Sequence, residues 1–315
     1  MNELNWGLPV ILYLFLGGLG AGAGAVSASV LLRSGGGNVP GPGFYIARCG
    51  AYIAPVMVIV GTSLIVLELG SFQAGNWFRF LNLFKVINLS PMSIGSWVLG
   101  LFILVSLVYA YTFFKKDPHP GDERDRLRKT MAWVMVPLGV GVALYTGILL
   151  GAMPARPFWN SPILALLFLV SALSTGVAAI LLMRTLFGRR SAGDGGNQGA
   201  YMLASSDVLL IGFEIAVVFL FVMYAHLTIG GVKEAVNIIL GGELTTLFWV
   251  GVVLLGLVLP ILLEMRYVVP TLLYQKEYAA SHTMEIIVSL LVIAGGFLLR
   301  YVVVLAGQLT GPVGI

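Results

Sequence analysis

Residues Ala51–Leu67 read AYIAPVMVIVGTSLIVL, an apolar run that ends directly before a carboxylate, Glu68. The run has about the length that a helix needs to cross the hydrocarbon core of a bilayer, roughly 20 residues. An acidic residue at the rim of such a run is costly to bury and marks a functional position by default. This stretch therefore predicts a membrane-spanning helix and makes Glu68 the first candidate functional residue.

Seven further apolar runs of similar length occur on either side of this one. The chain of 315 residues is 58% hydrophobic and only 10% charged, whereas a soluble domain carries about 25% charged residues. The sequence therefore predicts an all-α, polytopic membrane protein with eight transmembrane helices. The predicted spans are 8–32, 47–69, 92–114, 130–153, 161–187, 202–229, 244–268 and 284–308.

The basic residues predict the orientation of these spans. Thirteen of the 18 Lys and Arg residues belong to the loops after spans 1, 3, 5 and 7, and five belong to the other side. The positive-inside rule places the richer side in the cytoplasm and both termini outside. The longest basic loop, Lys115–Lys129, is expected to be a solvated anchor. These loops are short and lack interleaved aromatic residues, which argues against nucleic-acid binding.

The eight helices divide naturally into two four-helix bundles, which bury the more polar helix faces. We expect the first bundle to cover 1–158, with spans 1–4, and the second to cover 159–315, with spans 5–8. Span 1 carries two G-x-x-x-G pairs, Gly18 with Gly22 and Gly20 with Gly24. Such pairs are typical of close helix packing in lipid. A thin wall beside a ligand is a compatible alternative.

Histidine and cysteine usage argues against a bound redox centre. The chain has three histidines, His119, His226 and His282, and one cysteine, Cys49. His226 and His282 fall near opposite ends of their predicted spans, too far apart to ligate one haem. One thiol cannot hold an iron–sulfur cluster, which needs several. No metal site is predicted, and a redox role would require a diffusible carrier or a partner's cofactors.

Few ionisable residues fall inside the predicted spans besides Glu68. Asp207 and Glu214 lie seven residues apart on span 6 and so share one helix face. Arg300 lies in the outer half of span 8. Paired contacts inside the bundle and a proton path from the cytoplasm both explain these residues. Glu264 and Glu285 are expected to lie in the membrane interface.

Two tyrosines are predicted at a depth similar to that of Glu68. Tyr13 lies on span 1 and Tyr145 on span 4, both toward the outer face. Two phenols and a carboxylate can hydrogen-bond a quinone carbonyl and exchange a proton with it. An interfacial aromatic belt is the alternative explanation for each tyrosine.

Five motifs occur in an order that resembles the NrfD/PsrC family, the quinone-interacting membrane subunits of respiratory molybdopterin and multihaem oxidoreductases. The motifs are YLFLGGLGAG at Tyr13–Gly22, LELG at Leu67–Gly70, SPMSIGSW at Ser90–Trp97, YTG at Tyr145–Gly147 with RPFWN at Arg156–Asn160, and RYVVVLAGQ at Arg300–Gln308. The resemblance spans nearly the whole chain.

The resemblance implies an eight-helix subunit of an oxidoreductase complex in the inner (cytoplasmic) membrane of a bacterium or archaeon. It implies a site for menaquinone or ubiquinone in the first bundle, formed by Tyr13, Gly18, Glu68 and Tyr145. Glu68 and Tyr145 would take part in the chemistry. The implied partners are a four-cluster ferredoxin-like iron–sulfur subunit and a molybdopterin or multihaem catalytic subunit. The candidates for a proton path, Asp207, Glu214 and Arg300, follow from their positions in the spans and not from the resemblance.

Two other classes of protein stay open at this stage. The charges inside the spans also suit a transporter of small solutes or anions, although no broken helices in matching halves are evident. A purely structural membrane anchor is the second alternative. The amphipathic segment Trp77–Phe84 is a candidate surface for a partner protein.

Overall fold

A computed structural model describes residues 6–34, 41–69, 90–114, 123–187, 194–228 and 231–310. Within these ranges the regular structure is helical and includes no strand. The helices are α1 (Leu8–Arg33), α2 (Pro42–Leu69), α3 (Pro91–Tyr111), α4 (Glu123–Gly151), α5 (Pro162–Phe187), α6 (Asp194–Leu227), α7 (Gly231–Leu240), α8 (Leu259–Tyr274) and α9 (His282–Leu309). A π-helical stretch, Leu247–Val258, runs directly into α8.

The eight predicted spans each correspond to a described helix that is long and apolar enough to cross a membrane. The π-helical stretch and α8 together form the seventh of these helices. The second, fourth and sixth begin earlier than predicted, at Gly43, Arg124 and Asn197, and the seventh ends later, at Tyr274. The fourth extends past its apolar run because charged side chains at a helix end can reach water while the backbone stays helical. We call the end where α1, α3, α5 and α8 terminate the basic end.

The charged segment before the fourth span is helical and partly buried, so the expectation of a solvated loop through Lys129 is wrong for residues 123–129. Asp125 lies 2.9 Å from Lys129 Nζ and 3.7 Å from Arg128 Nη1. Arg128 donates from Nη2 to the Thr112 carbonyl at 2.8 Å, and its guanidinium lies 4.8 Å from the centre of the Phe113 ring. These contacts attach the start of α4 to the end of α3.

The short helix α7 was not foreseen from the sequence. Its ten residues are too few to span a bilayer. Ala235, Val236 and Ile239 are buried on one face, whereas Lys233 and Glu234 are exposed. Helix α7 packs with this apolar face against α6 and α9.

Helices α1 and α5 form the centre of the molecule. In their most apolar 18-residue windows, 83% and 72% of the residues are buried, against 33% to 50% in the other six spanning helices. Helix α1 contacts α2, α4, α5 and α9, and α5 contacts α1, α4, α6 and α9. The remaining helices therefore supply most of the surface that faces lipid.

The glycines of α1 explain how it approaches two neighbours closely. A Cβ atom on Gly22 would overlap the carbonyl oxygen of Ala172 on α5, and a Cβ on Gly18 would come 3.5 Å from the Ala172 Cβ. On another face, a Cβ on Gly20 would come 2.8 Å from the Ala54 carbonyl oxygen on α2. The prediction of close helix packing at the G-x-x-x-G pairs is confirmed, with one pair facing each neighbour.

Candidate functional site

Tyr13 on α1 and Tyr145 on α4 lie side by side at the end of the helices opposite the basic end. Their phenol groups are close enough to interact directly. Tyr13 is buried, with 4% of its surface exposed, and Tyr145 is partly exposed. A Cβ atom on Gly95 of α3 would overlap the Tyr145 ring. The glycine of the SPMSIGSW motif therefore makes room for this tyrosine.

The start of α3 holds Gly95 in place beside the tyrosines. Ser90 is the N-cap residue, and its Oγ accepts a hydrogen bond from the Ser93 amide at 3.3 Å. Pro91, at the first helical position, has no amide hydrogen to satisfy. Ile94 and Trp97 on the same turns are exposed on the lipid-facing surface.

Glu68 lies in the last turn of α2, and its side chain falls outside the described part of the structure. About two turns of α2 closer to the basic end, Gly61 contacts α1 near Tyr13: a Cβ on Gly61 would come 3.4 Å from the Tyr13 carbonyl oxygen. Glu68 is seven residues further along α2, which is about 10 Å. A tyrosine side chain on a helix points toward the helix N-terminus, so the Tyr13 ring extends in the direction of Glu68.

A second polar cluster lies behind α1 and centres on Arg300 of α9, which is fully buried. Its Nη1 donates to Ser171 Oγ on α5 at 3.0 Å and to the Gly296 carbonyl at 2.8 Å. The guanidinium also lies 5.7 Å from the centre of the Phe15 ring on α1. A Cβ on Gly18 would come 2.9 Å from Nη2, so this glycine makes room for Arg300.

Glu214 of α6 supplies a negative charge near Arg300. Its carboxyl is buried against the Ser171 hydroxyl and interacts electrostatically with Arg300. Ser171 therefore lies between an acid and a base. A buried charge is tolerated only when it is paired or hydrogen-bonded, and this arrangement meets that need for both groups.

Asp207 lies two turns of α6 closer to the basic end. Ser174 Oγ on α5 donates to its Oδ1 at 2.9 Å, whereas its Oδ2 is buried without a hydrogen-bond partner among the described residues. Ser171 and Ser174 lie three residues apart on α5, and Asp207 and Glu214 lie seven apart on α6. Two hydroxyls on α5 thus face two acids on α6.

Glu264 of α8 continues this line of acids toward the basic end. It is buried, with 5% of its surface exposed, so the expectation of an interfacial position is wrong. Glu264 interacts electrostatically with Asp207. Within the described part of the chain, neither of its carboxyl oxygens has a hydrogen-bond partner. We call Glu264, Asp207, Glu214 and Arg300 the polar row.

The RPFWN and RYVVVLAGQ motifs join the two halves of the chain at the end opposite the basic end. Trp159 Nε1 donates to the Val303 carbonyl at 2.7 Å, and Arg156 Nη1 donates to the Gln308 carbonyl at 2.9 Å. Gln308 also exchanges two hydrogen bonds of 3.0 Å with the backbone of Trp6. These contacts connect the start of α1, the 152–161 connection and the end of α9.

The structure brings the predicted residues together in two groups. Tyr13 and Tyr145 form the first, and Asp207, Glu214 and Arg300 belong to the second, where Gly18 also lies. No group of three His, Cys, Asp or Glu residues suited to a metal ion occurs in the described ranges. Sequence reasoning missed Ser171, Ser174 and the burial of Glu264. The three-residue spacing of the two serines inside an apolar helix was the available signal.

Known proteins are similar to this chain over nearly its whole length. The model of the family "Polysulphide reductase, NrfD" matches residues 1–312. One of the chains of the polysulfide reductase of Wolinella succinogenes is 32% identical, with 98% of the present chain and 95% of that protein covered. The NrfD homolog of Haemophilus influenzae is 26% identical over 98% of the present chain and 96% of its own length. One of the subunits of the selenate reductase of Mesobacillus selenatarsenatis is 24% identical over 82% of the present chain and 66% of its own length.

The eight spanning helices and the ordered motifs agree with these matches from one end of the sequence to the other. The named relatives include polypeptides of polysulfide and selenate reductases, which fits a membrane subunit of a respiratory oxidoreductase. This chain is thus a multi-pass integral membrane protein that belongs to the polysulphide reductase NrfD family.

Proposed function

We propose that this chain is the quinone-reactive subunit of a respiratory oxidoreductase complex in a bacterial or archaeal cytoplasmic membrane. It exchanges electrons between the quinone pool and an attached four-cluster ferredoxin-like iron–sulfur subunit. That subunit in turn serves a molybdopterin or multihaem catalytic subunit. Family membership supports this role, and the main structural support is the contact between the buried Tyr13 phenol and the partly exposed Tyr145 phenol.

The residues of the first bundle, 1–158, suit a quinone headgroup. Phenols are hydrogen-bond donors that stay neutral in an apolar setting. Gly95 leaves the Tyr145 ring space that a larger residue would occupy. A bound menaquinone or ubiquinone supplies the two-electron, two-proton chemistry. Tyr13 and Tyr145 orient its oxygen atoms, and Glu68, at the outer end of α2, exchanges protons with the surrounding water.

Quinol-linked turnover of the assembled complex tests this site. We expect Tyr145→Phe and Tyr13→Phe each to raise the KM for a quinol about five- to tenfold, because each removes one hydrogen bond worth about 1 kcal/mol. Electron transfer from a soluble dye that reduces the partner subunits directly should stay unchanged. Tyr111→Phe is the matched control, since Tyr111 is exposed at the far end of α3. Unchanged KM values in both site variants would refute the assignment.

We further propose that the second bundle, 159–315, couples this chemistry to proton movement. The acids of the polar row lie on one side of α5, and Arg300 lies at the row's end, where Phe15 and Gly18 of α1 contact it. Tyr13 is on the same helix, so α1 contacts both the phenol pair and Arg300. With the basic end in the cytoplasm and both termini outside, Asp207 and Glu214 are the inner and outer proton carriers.

A voltage-sensitive dye in proteoliposomes tests this coupling. Quinol oxidation by the wild-type complex should generate a membrane potential, and Asp207→Asn should lower the initial rate of its formation about a hundredfold, as expected for loss of a positioned proton-transfer group. Turnover without any potential in the wild-type complex would overturn the coupling proposal and leave the quinone site untouched.

A further inference from the structure

A cleft opens at the basic end of the molecule, between α5, α8, the 275–281 connection and α9. The cleft is narrow, with room for about one water molecule. Its lining includes Glu264 and Tyr267 of α8, Tyr278 of the connection, and Met284 and Glu285 of α9. Four polar side chains of an otherwise apolar chain therefore share one cleft.

Glu264 is one of the residues that line this cleft. Of these residues, it is the one whose presence is hardest to explain by helix packing. A carboxyl group that serves packing is hydrogen-bonded, because burial without partners is expensive. Both oxygens of Glu264 are buried, and no described side chain or backbone group donates to them. Both oxygens are shielded from solvent, and Glu264 is one of the residues that line the cleft, so a water molecule in the cleft would lie next to this residue.

Behind Glu264 the polar row continues into the molecule. Asp207 is the next acid, and the two carboxyls interact electrostatically. Asp207 Oδ2 also has no described partner, while its Oδ1 is held by Ser174. Each of the two acids therefore keeps at least one oxygen available to receive a proton.

The mouth of the cleft has hydrogen-bonding and ionisable groups. Thr185 Oγ1 on α5 donates to Glu285 Oε2 at 3.0 Å, which fixes a partly exposed carboxylate at the entrance. Burial, and then the carboxylates of Glu285 and Glu264, raise the pKa of Tyr278, so its phenol stays a neutral donor. Arg184 of α5 and Tyr267 of α8 are the other ionisable groups that act on Tyr278.

We propose that this cleft is the proton inlet of the polar row and that Glu264 is its first buried carrier. A proton from water in the cleft binds the Glu264 carboxylate, passes to Asp207 and then to Glu214, and each donor returns to a carboxylate. No electron moves in these steps. This proposal rests on the proton coupling proposed above. It adds the cleft as the entrance for the proton and Glu264 as a further proton carrier.

Carbodiimide labelling of the intact complex in sealed, oriented vesicles tests the inlet without electron transfer. Dicyclohexylcarbodiimide adds to protonated carboxyl groups in apolar surroundings, and the stable adduct is located by peptide mass spectrometry. We expect an adduct on Glu264 that decreases when the pH on the basic side is raised and is insensitive to the pH on the other side. Glu277, exposed in the same connection, is the control and should remain unlabelled. An adduct that follows only the pH of the opposite side, or no adduct, overturns the proposal.

Membrane-potential measurements with two matched variants separate the inlet from the coupling itself. We expect Glu264→Gln to lower the initial rate of potential formation about a hundredfold. Glu264→Asp should restore part of that rate, and Glu277→Gln should match the wild type. A wild-type potential together with an unaffected Glu264→Gln variant overturns the inlet and leaves the coupling standing. Absence of a wild-type potential overturns the coupling instead.

Discussion

The crossing of α1 and α5 at Gly22 offers the sharpest test of the packing. A Cβ on Gly22 would overlap the Ala172 carbonyl oxygen and come 2.5 Å from its carbonyl carbon and 3.0 Å from the Leu173 nitrogen. These are backbone atoms, so no side-chain rotation relieves the overlap. The two helices must separate by about 1 Å, which forfeits a quarter to a half of the dispersion energy along the contact.

The expected loss of stability for Gly22→Ala follows from two opposing effects. Overpacking costs about 1–3 kcal/mol, and a backbone contact belongs at the upper end of that range. Alanine is about 1 kcal/mol better than glycine inside a helix. The net loss in the free energy of unfolding is therefore about 2 kcal/mol. At about 2–4 °C per kcal/mol, the melting temperature in detergent should fall by about 4–8 °C.

Gly17→Ala is the matched control for this experiment. Gly17 lies on the same helix, and a Cβ there would meet no atom within 4 Å outside its own helix and neighbours. We expect its melting temperature to equal or slightly exceed that of the wild type, as measured by tryptophan fluorescence during heating. Equal melting temperatures for Gly22→Ala and Gly17→Ala would refute the close crossing of α1 and α5.

Three further substitutions test other contacts. Gly95→Ala should lower quinol-linked turnover severalfold, because the added methyl displaces the Tyr145 ring. Gly141→Ala, whose Cβ has only an ordinary contact at 3.7 Å, should leave turnover unchanged. Equal turnover rates for the two variants would contradict the role of Gly95. Trp159→Phe removes a buried 2.7 Å hydrogen bond and should cost about 1–2 kcal/mol in thermal unfolding, and no change would show that this bond is not needed. Arg128→Met should lower the free energy of unfolding by about 2–3 kcal/mol, because the Arg128 side chain is buried. Arg126→Met should leave it almost unchanged, because Arg126 is exposed. Limited proteolysis near α4 measures the difference between the two variants.

Segments that must cross lipid were predictable because hydrophobic length is a local property. Each of the eight runs corresponds to one helix, although α6 begins at Asp194 and α8 ends at Tyr274, both well outside the predicted spans. Another error came where charged residues continue a helix, as at Arg124, or fold back onto it, as at Arg128. Charge predicts contact with water, but the aliphatic part and the flat guanidinium of arginine can be buried against aromatic rings. The aromatic rings that bury such an arginine come from a different segment of the chain, as Phe113 does for Arg128.

The candidate site was predictable to the extent that one helix determines it. The seven-residue spacing of Asp207 and Glu214 predicts that they share one face of α6. In the structure both carboxyls lie against serines of α5. Glu264 was misjudged because its distance from the end of its span suggested an interfacial position, whereas the neighbouring helices bury it. Ser171 drew no attention, since one hydroxyl in an apolar helix has many explanations until Arg300 is found to donate to it.

The sequence alone determined that the protein spans a membrane eight times, which residues are too polar for lipid, and which family it belongs to. These properties depend on the length and order of runs along the polypeptide. Only the tertiary structure decided which acids form one row, that both oxygens of Glu264 are buried without a described hydrogen-bond partner, and that Phe15 and Gly18 of α1 lie against Arg300. Side chains from helices far apart in sequence meet only when those helices pack, and their packing is set by close backbone contacts such as the one at Gly22.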